Sequence, residues 1–112
     1  MEDSITGTQN ILSNYSGFLL NIIKKLPDGN SATDQDISHL FNDMGSYINI
    51  LKQNDNNTYW LNNASAALSD YQKNIGTNEE QYYLASLRFA VQSYYLKHHP
   101  ETISHKMGKG TE

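Results

Sequence analysis

The sequence predicts an all-α fold: a small four-helix bundle followed by a flexible C-terminal tail. Three observations carry that prediction. Apolar residues recur at three- and four-residue steps through four separate segments. Turn and capping signals stand between those segments. Nowhere does strict apolar–polar alternation persist over β-branched residues, as a half-buried strand would require. A chain of 112 residues has room for one modest core. Residues 1–99 are assigned to the bundle and 100–112 to the tail.

In the first segment Leu12, Tyr15, Leu19, Ile22 and Leu26 share a stripe, which Ile11, Phe18 and Ile23 widen. Lys24 and Lys25 fall in its last turn, where cations complement the helix dipole. Pro27-Asp28-Gly29-Asn30 then makes a turn. The second segment starts at Ser31 or Thr33, with Asp34 and Asp36 in its first turn. Ile37, Leu40, Phe41, Met44, Tyr47, Ile48 and Leu51 follow at helical spacing. Gly45 weakens that helix by ~1 kcal/mol relative to alanine and offers a place for close helix approach. Gln53 to Asn57 closes it as a polar loop.

The third segment runs from about Thr58 to Ile75, with Trp60, Leu61, Ala64, Ala67, Leu68, Tyr71 and Ile75 on one face. Gly76 stands where a helix-terminating glycine belongs. Thr77-Asn78-Glu79-Glu80 fits a capping box, with Thr77 as the cap and Glu80 reaching back. The fourth segment extends from Asn78 to about Lys97. Leu84, Leu87, Val91, Tyr94 and Tyr95 form one stripe, and Tyr82, Phe89 and Leu96 form another. A helix apolar on two sides is central in a bundle or carries a partner surface. Pro100 disfavours helical geometry at His99, and the stretch to Glu112, with Gly108 and Gly110, reads as frayed.

Composition narrows the function by exclusion. Charged residues make up 18% of the chain, against roughly 25% in ordinary soluble domains. Eight tyrosines, three phenylalanines and one tryptophan argue against disorder, which goes with few aromatics. The net charge is -4 and Arg88 is the single arginine, so the basic stripe of a nucleic-acid binder is missing. Lys24, Lys25, Lys52 and Lys73 are not gathered on one face. The absence of cysteine excludes disulfides, thiolate nucleophiles and cysteine-ligated zinc. Glu2 and Asp3 stand where a signal peptide would be basic. The apolar run from Phe18 to Ile23 is far short of the ~20 residues that span a bilayer. The expected location is cytoplasmic, or secreted without a cleavable signal. The acceptor-like triplets at Asn14, Asn56 and Asn63 are accordingly read as chance.

No catalytic constellation emerges. There is no G-x-S-x-G, and Gly108-Lys109-Gly110 lacks the rest of a phosphate loop. His98, His99 and His105, with Glu101, make the only cluster with metal-ligand chemistry. Adjacent His98 and His99 point different ways on a helix, and a helix-end role explains them better. His39 reads as a surface residue. Asp34/Asp36 and Glu79/Glu80 are explained by capping, while Asp43 and Asp70 read as solvent-facing. The chain is expected to be no enzyme and to hold neither cofactor nor metal.

The aromatics remain. Tyr82, Tyr83, Phe89, Tyr94 and Tyr95 crowd the fourth helix, and Tyr59-Trp60 opens the third. Core packing claims some of them, but tyrosine and tryptophan also anchor protein interfaces. Trp60, Tyr82, Tyr83, Phe89, Tyr94 and Tyr95 are therefore the candidate partner-binding residues. The partner is a protein or a second copy of the chain.

Within the fourth segment, Leu87-Arg88-Phe89-Ala90-Val91-Gln92-Ser93-Tyr94 resembles the second helix of the needle-forming subunits of bacterial type III secretion systems. That family shows an L-x-F-A-(V/L)-Q-x-Y stretch after a polar turn, commonly Asn-Pro or Asp-Pro. Here Thr77 to Glu80 stands for the turn and Ala64 to Ile75 for the end of the first helix, so the resemblance spans residues 60–105. The turn lacks the proline, Pro100 interrupts the C-terminal helix, and about fifty N-terminal residues are additional. The resemblance implies a non-enzymatic component or accessory protein of such an apparatus that self-associates or binds a dedicated helix. The alternative is a small acidic immunity or inhibitor protein on a basic target.

Overall fold

A computed structural model describes residues 2–26 and 38–99. They form four helices: α1 (Glu2–Lys25), α2 (Ser38–Asn54), α3 (Tyr59–Lys73) and α4 (Glu80–Lys97). No strand occurs among the described residues. The Pro27–Asn30 turn, the helix start at Ser31 or Thr33 with Asp34 and Asp36, Ile37, and the tail from Pro100 lie outside them.

Consecutive helices pack side by side, and α4 closes the ring against α1. Their relative directions follow from cross-contacts. Asp55, just before α3, meets Tyr94 and His98 at the end of α4. Ser13 of α1 meets His99, and Arg88 of α4 reaches the Leu26 carbonyl at 3.5 Å. The Tyr15 and Tyr47 rings pair α1 with α2, and those of Phe41 and Tyr71 pair α2 with α3. The result is an up-down-up-down bundle, as short connections favour.

The core takes the stripes that periodicity marks. Leu12, Leu19, Ile22, Ile23 and Leu26 come from α1 and its end, Leu40, Phe41, Met44, Ile48 and Leu51 from α2. Leu61, Ala64, Leu68 and Tyr71 of α3 meet Leu84, Leu87, Ala90, Val91 and Tyr94 of α4. Phe18 departs from its expected place. It is 44% exposed and packs on the outside with Tyr15 and Tyr47. The place on the α1 stripe between Leu12 and Leu19 is held instead by buried Ser16, whose hydroxyl donates to the Ser13 carbonyl at 2.8 Å.

The α3–α4 turn shows how sequence signals become geometry. Gly76 has φ of 88°, a left-handed conformation that costs other residues about 1–2 kcal/mol. Thr77, expected as the cap, stands in the turn instead; the cap is Glu79, which makes no side-chain capping bond. The Thr77 hydroxyl accepts the Glu79 N–H at 3.2 Å and donates to the Asn74 carbonyl at 2.7 Å. The Glu80 carboxylate, however, reaches past Thr77 and accepts the Gly76 N–H at 2.6 Å. Regular helix therefore begins at Glu80 rather than Asn78, and the Glu80 side chain is buried. Gly45 also departs from expectation. A Cβ built there meets nothing within 4 Å, so close helix approach does not explain it.

Candidate functional site

Folding sorts the six candidate residues into two groups. Tyr94 is only 1% exposed, because seven residues separate it from Leu87 and place it on the same core-facing stripe. It is corrected from partner surface to core. Tyr95 is half-buried and stacks on the His99 ring at 4.1 Å and 15°. That histidine contacts Ser13 of α1, so Tyr95 is engaged inside the bundle's own α1–α4 seam.

Trp60, Tyr82, Tyr83 and Phe89 share the outer face of the α3–α4 pair, joined by Tyr59. Tyr59, Tyr82 and Phe89 are 64%, 65% and 63% exposed. The half-buried Trp60 ring lies edge-on to Tyr59 at 4.9 Å and to Phe89 at 5.4 Å. These contacts hold the rings without covering them. A shallow groove of about 300 Å³ runs between the helices, floored by Ala67 and Ala90 with Asn63 and Ser86 on its walls. Small residues on both helices leave this depression, while Tyr59, Trp60 and Phe89 raise one end. Two turns along α4 from Phe89, Tyr82 packs edge-on to Tyr83 at 5.0 Å. Partial burial, with the Glu79 and Asp70 carboxylates nearby, holds the Tyr83 hydroxyl above the usual 10.

A second feature ties the opposite end of α4 down. Asp55 Oδ2 accepts from the Tyr94 hydroxyl at 3.0 Å and from His98 Nε2 at 3.1 Å, with Lys97 Nζ at 3.9 Å. Its Oδ1 accepts the Asn57 N–H at 3.0 Å. Burial pushes this carboxyl up, but those hydrogen bonds and the lysine outweigh it and hold it below the usual 3.8. The same Asp55, with burial as the larger cause, drives the Tyr94 hydroxyl far above its ordinary range.

The Nε2 atoms of the two histidines face acceptors. Carboxylate and carbonyl oxygens only accept, so His98 Nε2 facing Asp55 and His99 Nε2 facing the Ser13 carbonyl at 3.2 Å both carry protons. A nitrogen that donates there cannot take a proton from the Ser13 hydroxyl 3.3 Å away. The two rings diverge, one to Asp55 and one to Ser13. No group of three or more metal-ligating side chains occurs among the described residues, and His105 and Glu101 lie outside them. No helix there is long and apolar enough to cross a membrane. No protein-family model matches the chain, and neither the curated proteins nor the solved structures yield a match.

Sequence reasoning passed over two features. Asp55 read as one of five polar loop residues, since nothing local shows that Tyr94 and His98 will close on it. The Tyr15–Phe18–Tyr47 cluster read as core stripe, although Phe18 lies at the edge of that stripe. Because the helices are ordered in a ring, this cluster lies across the bundle from the α3–α4 groove.

Proposed function

We propose that this chain is a non-enzymatic protein-interaction module whose α3–α4 face docks a partner. The observation that carries the reading is the exposure of Tyr59, Tyr82 and Phe89 beside half-buried Trp60. Large aromatic side chains contribute most where a partner desolvates them, and here the chain's own fold leaves three of them in water. The eight-residue stretch from Leu87 to Tyr94, which contributes Phe89 to this face, supports a place in a bacterial type III secretion apparatus. In that version the partner is a dedicated helix of the same apparatus.

The test is a double substitution, Tyr82→Ser with Phe89→Ser, compared with wild type. Helicity and cooperative melting should stay intact, because both rings are mostly exposed. Capture of the secretion-apparatus subunits should be lost. A collapse of thermal stability would return these residues to a structural role, and unaltered capture would move the docking face elsewhere.

A further inference from the structure

We infer that the groove between α1 and α2 binds a small aromatic zwitterion of the amino-acid class. The ligand's ring would lie against Phe18 and Tyr47, its ammonium at Asp43 and its carboxylate at Lys25. The site lies across the bundle from the α3–α4 face and does not depend on a protein partner there.

The groove holds about 340 Å³, at the lower end of the roughly 300–1,000 Å³ typical of small-molecule sites. Buried Ile22 and Leu40 supply apolar surface between its walls. Lys25 lines it from α1, and His39 and Asp43 line it from α2. None of these three has an ion-pair or hydrogen-bond partner among the described residues. Opposite charges kept apart across one cleft are both satisfied only by a ligand that carries both signs. A metal ion fits poorly, because His39 and Asp43 supply two donors where zinc takes three or four, and the Lys25 ammonium repels it.

The order of groups along the groove selects the occupant. Because α1 and α2 run antiparallel, Phe18 on one wall meets Tyr47 on the other, and their rings lie 5.6 Å apart at 48°. Asp43 is one turn from Tyr47, about 6 Å along α2. Lys25 is two turns from Phe18, about 10.5 Å along α1, and His39 lies one turn beyond Asp43 on the facing wall. From end to end the groove therefore presents two rings, a carboxylate, and then an ammonium with an imidazole. An aromatic α-amino acid carries the complement in the same order: ring, ammonium, carboxylate. Its ammonium gains from Asp43 and from the neighbouring ring faces. Its carboxylate accepts from Lys25 and from a His39 ring N–H. Its ring covers Phe18, which the fold leaves 44% exposed.

Titration of the full chain with L-phenylalanine, followed by calorimetry and by the NMR signals of the Phe18 and Tyr47 rings, is the test. L-phenylalanine should bind and shift both rings. Two analogues each lack one charge: phenethylamine has no carboxylate and 3-phenylpropionate has no ammonium. Each should bind about fivefold more weakly, the loss expected of one exposed ion pair. Lys25→Gln should bind L-phenylalanine and phenethylamine alike, and Asp43→Asn should bind L-phenylalanine and 3-phenylpropionate alike. Both side chains are exposed, so both variants should melt as the wild type does. No binding of L-phenylalanine, or binding that leaves the Phe18 and Tyr47 signals unmoved, would overturn the inference. So would wild-type protein that binds either analogue as tightly, or affinity for L-phenylalanine unchanged in both variants.

Discussion

Tyr71 and Tyr94 occupy one core, yet their hydroxyls are treated differently. Tyr94 donates to Asp55, whereas the buried Tyr71 hydroxyl has no hydrogen-bond partner. Tyr71→Phe should therefore leave stability unchanged or raise it by about 1 kcal/mol, while Tyr94→Phe should cost about 2 kcal/mol. Urea denaturation of the two variants checks the contrast, and equal losses would show that Tyr71 has a partner in solution. Both tyrosines also set the alkaline limit. Burial, with Glu80 nearby, pushes Tyr71 up to about 12 from the ordinary 10, and Tyr94 lies higher still. A raised pKa stabilises the fold below the unfolded value and is lost as pH climbs through the folded one. Unfolding should accordingly set in above pH 10, and less steeply in Tyr71→Phe. Asp55 acts at the acid end with the opposite sign. Its folded pKa is depressed, so its contribution is complete well above the ordinary 3.8 and vanishes as pH falls below it. The stability difference between wild type and Asp55→Asn should hold at neutral pH and shrink below about pH 4.

At the scale of elements, the two glycines that break the local pattern predict opposite outcomes. Gly45 lies inside α2 with open space around its Cβ position, so Gly45→Ala should stabilise the bundle by about 0.5–1 kcal/mol. Gly76, at φ of 88°, has space but not freedom. Gly76→Ala should cost about 1 kcal/mol by forcing a side chain into the left-handed region. Thermal melts read both signs. The helices themselves were legible from periodicity because each buries one face against two neighbours. The two stripes on α4 were legible too, but their assignment was not. Leu84, Leu87, Val91 and Tyr94 became core because α1 and α3 both pack on that side, leaving Tyr82 and Phe89 outside. The capping pattern marked the turn at Thr77, yet the cap is Glu79 and Glu80 bonded one residue behind Thr77, because Gly76 turns its N–H toward the buried carboxylate.

For the whole molecule, the end of α4 is a closure point. His98 joins it to the α2–α3 connection and His99 joins it to α1. Truncation after Lys97 should therefore melt lower than truncation after His99, by about 1–2 kcal/mol for the lost contacts. The difference between the two truncations isolates the histidines from everything beyond them. The sequence alone placed these residues at a helix end, with cations favoured by the dipole, and offered no reason to expect a tertiary latch. Asp55 and His98 are separated by 43 positions, and no local pattern spans that distance.

By itself the sequence determined the class, the number of helices and most of the core, because amphipathic period and turn chemistry act over a few residues. It also named the aromatic-rich α3–α4 pair. Only the tertiary structure decided which rings are exposed, that Tyr94 belongs to the core while half-buried Tyr95 stacks on His99, and that Phe18 belongs outside. A helix's stripe is local, but which side of that stripe meets a neighbour depends on how all four helices close around one core.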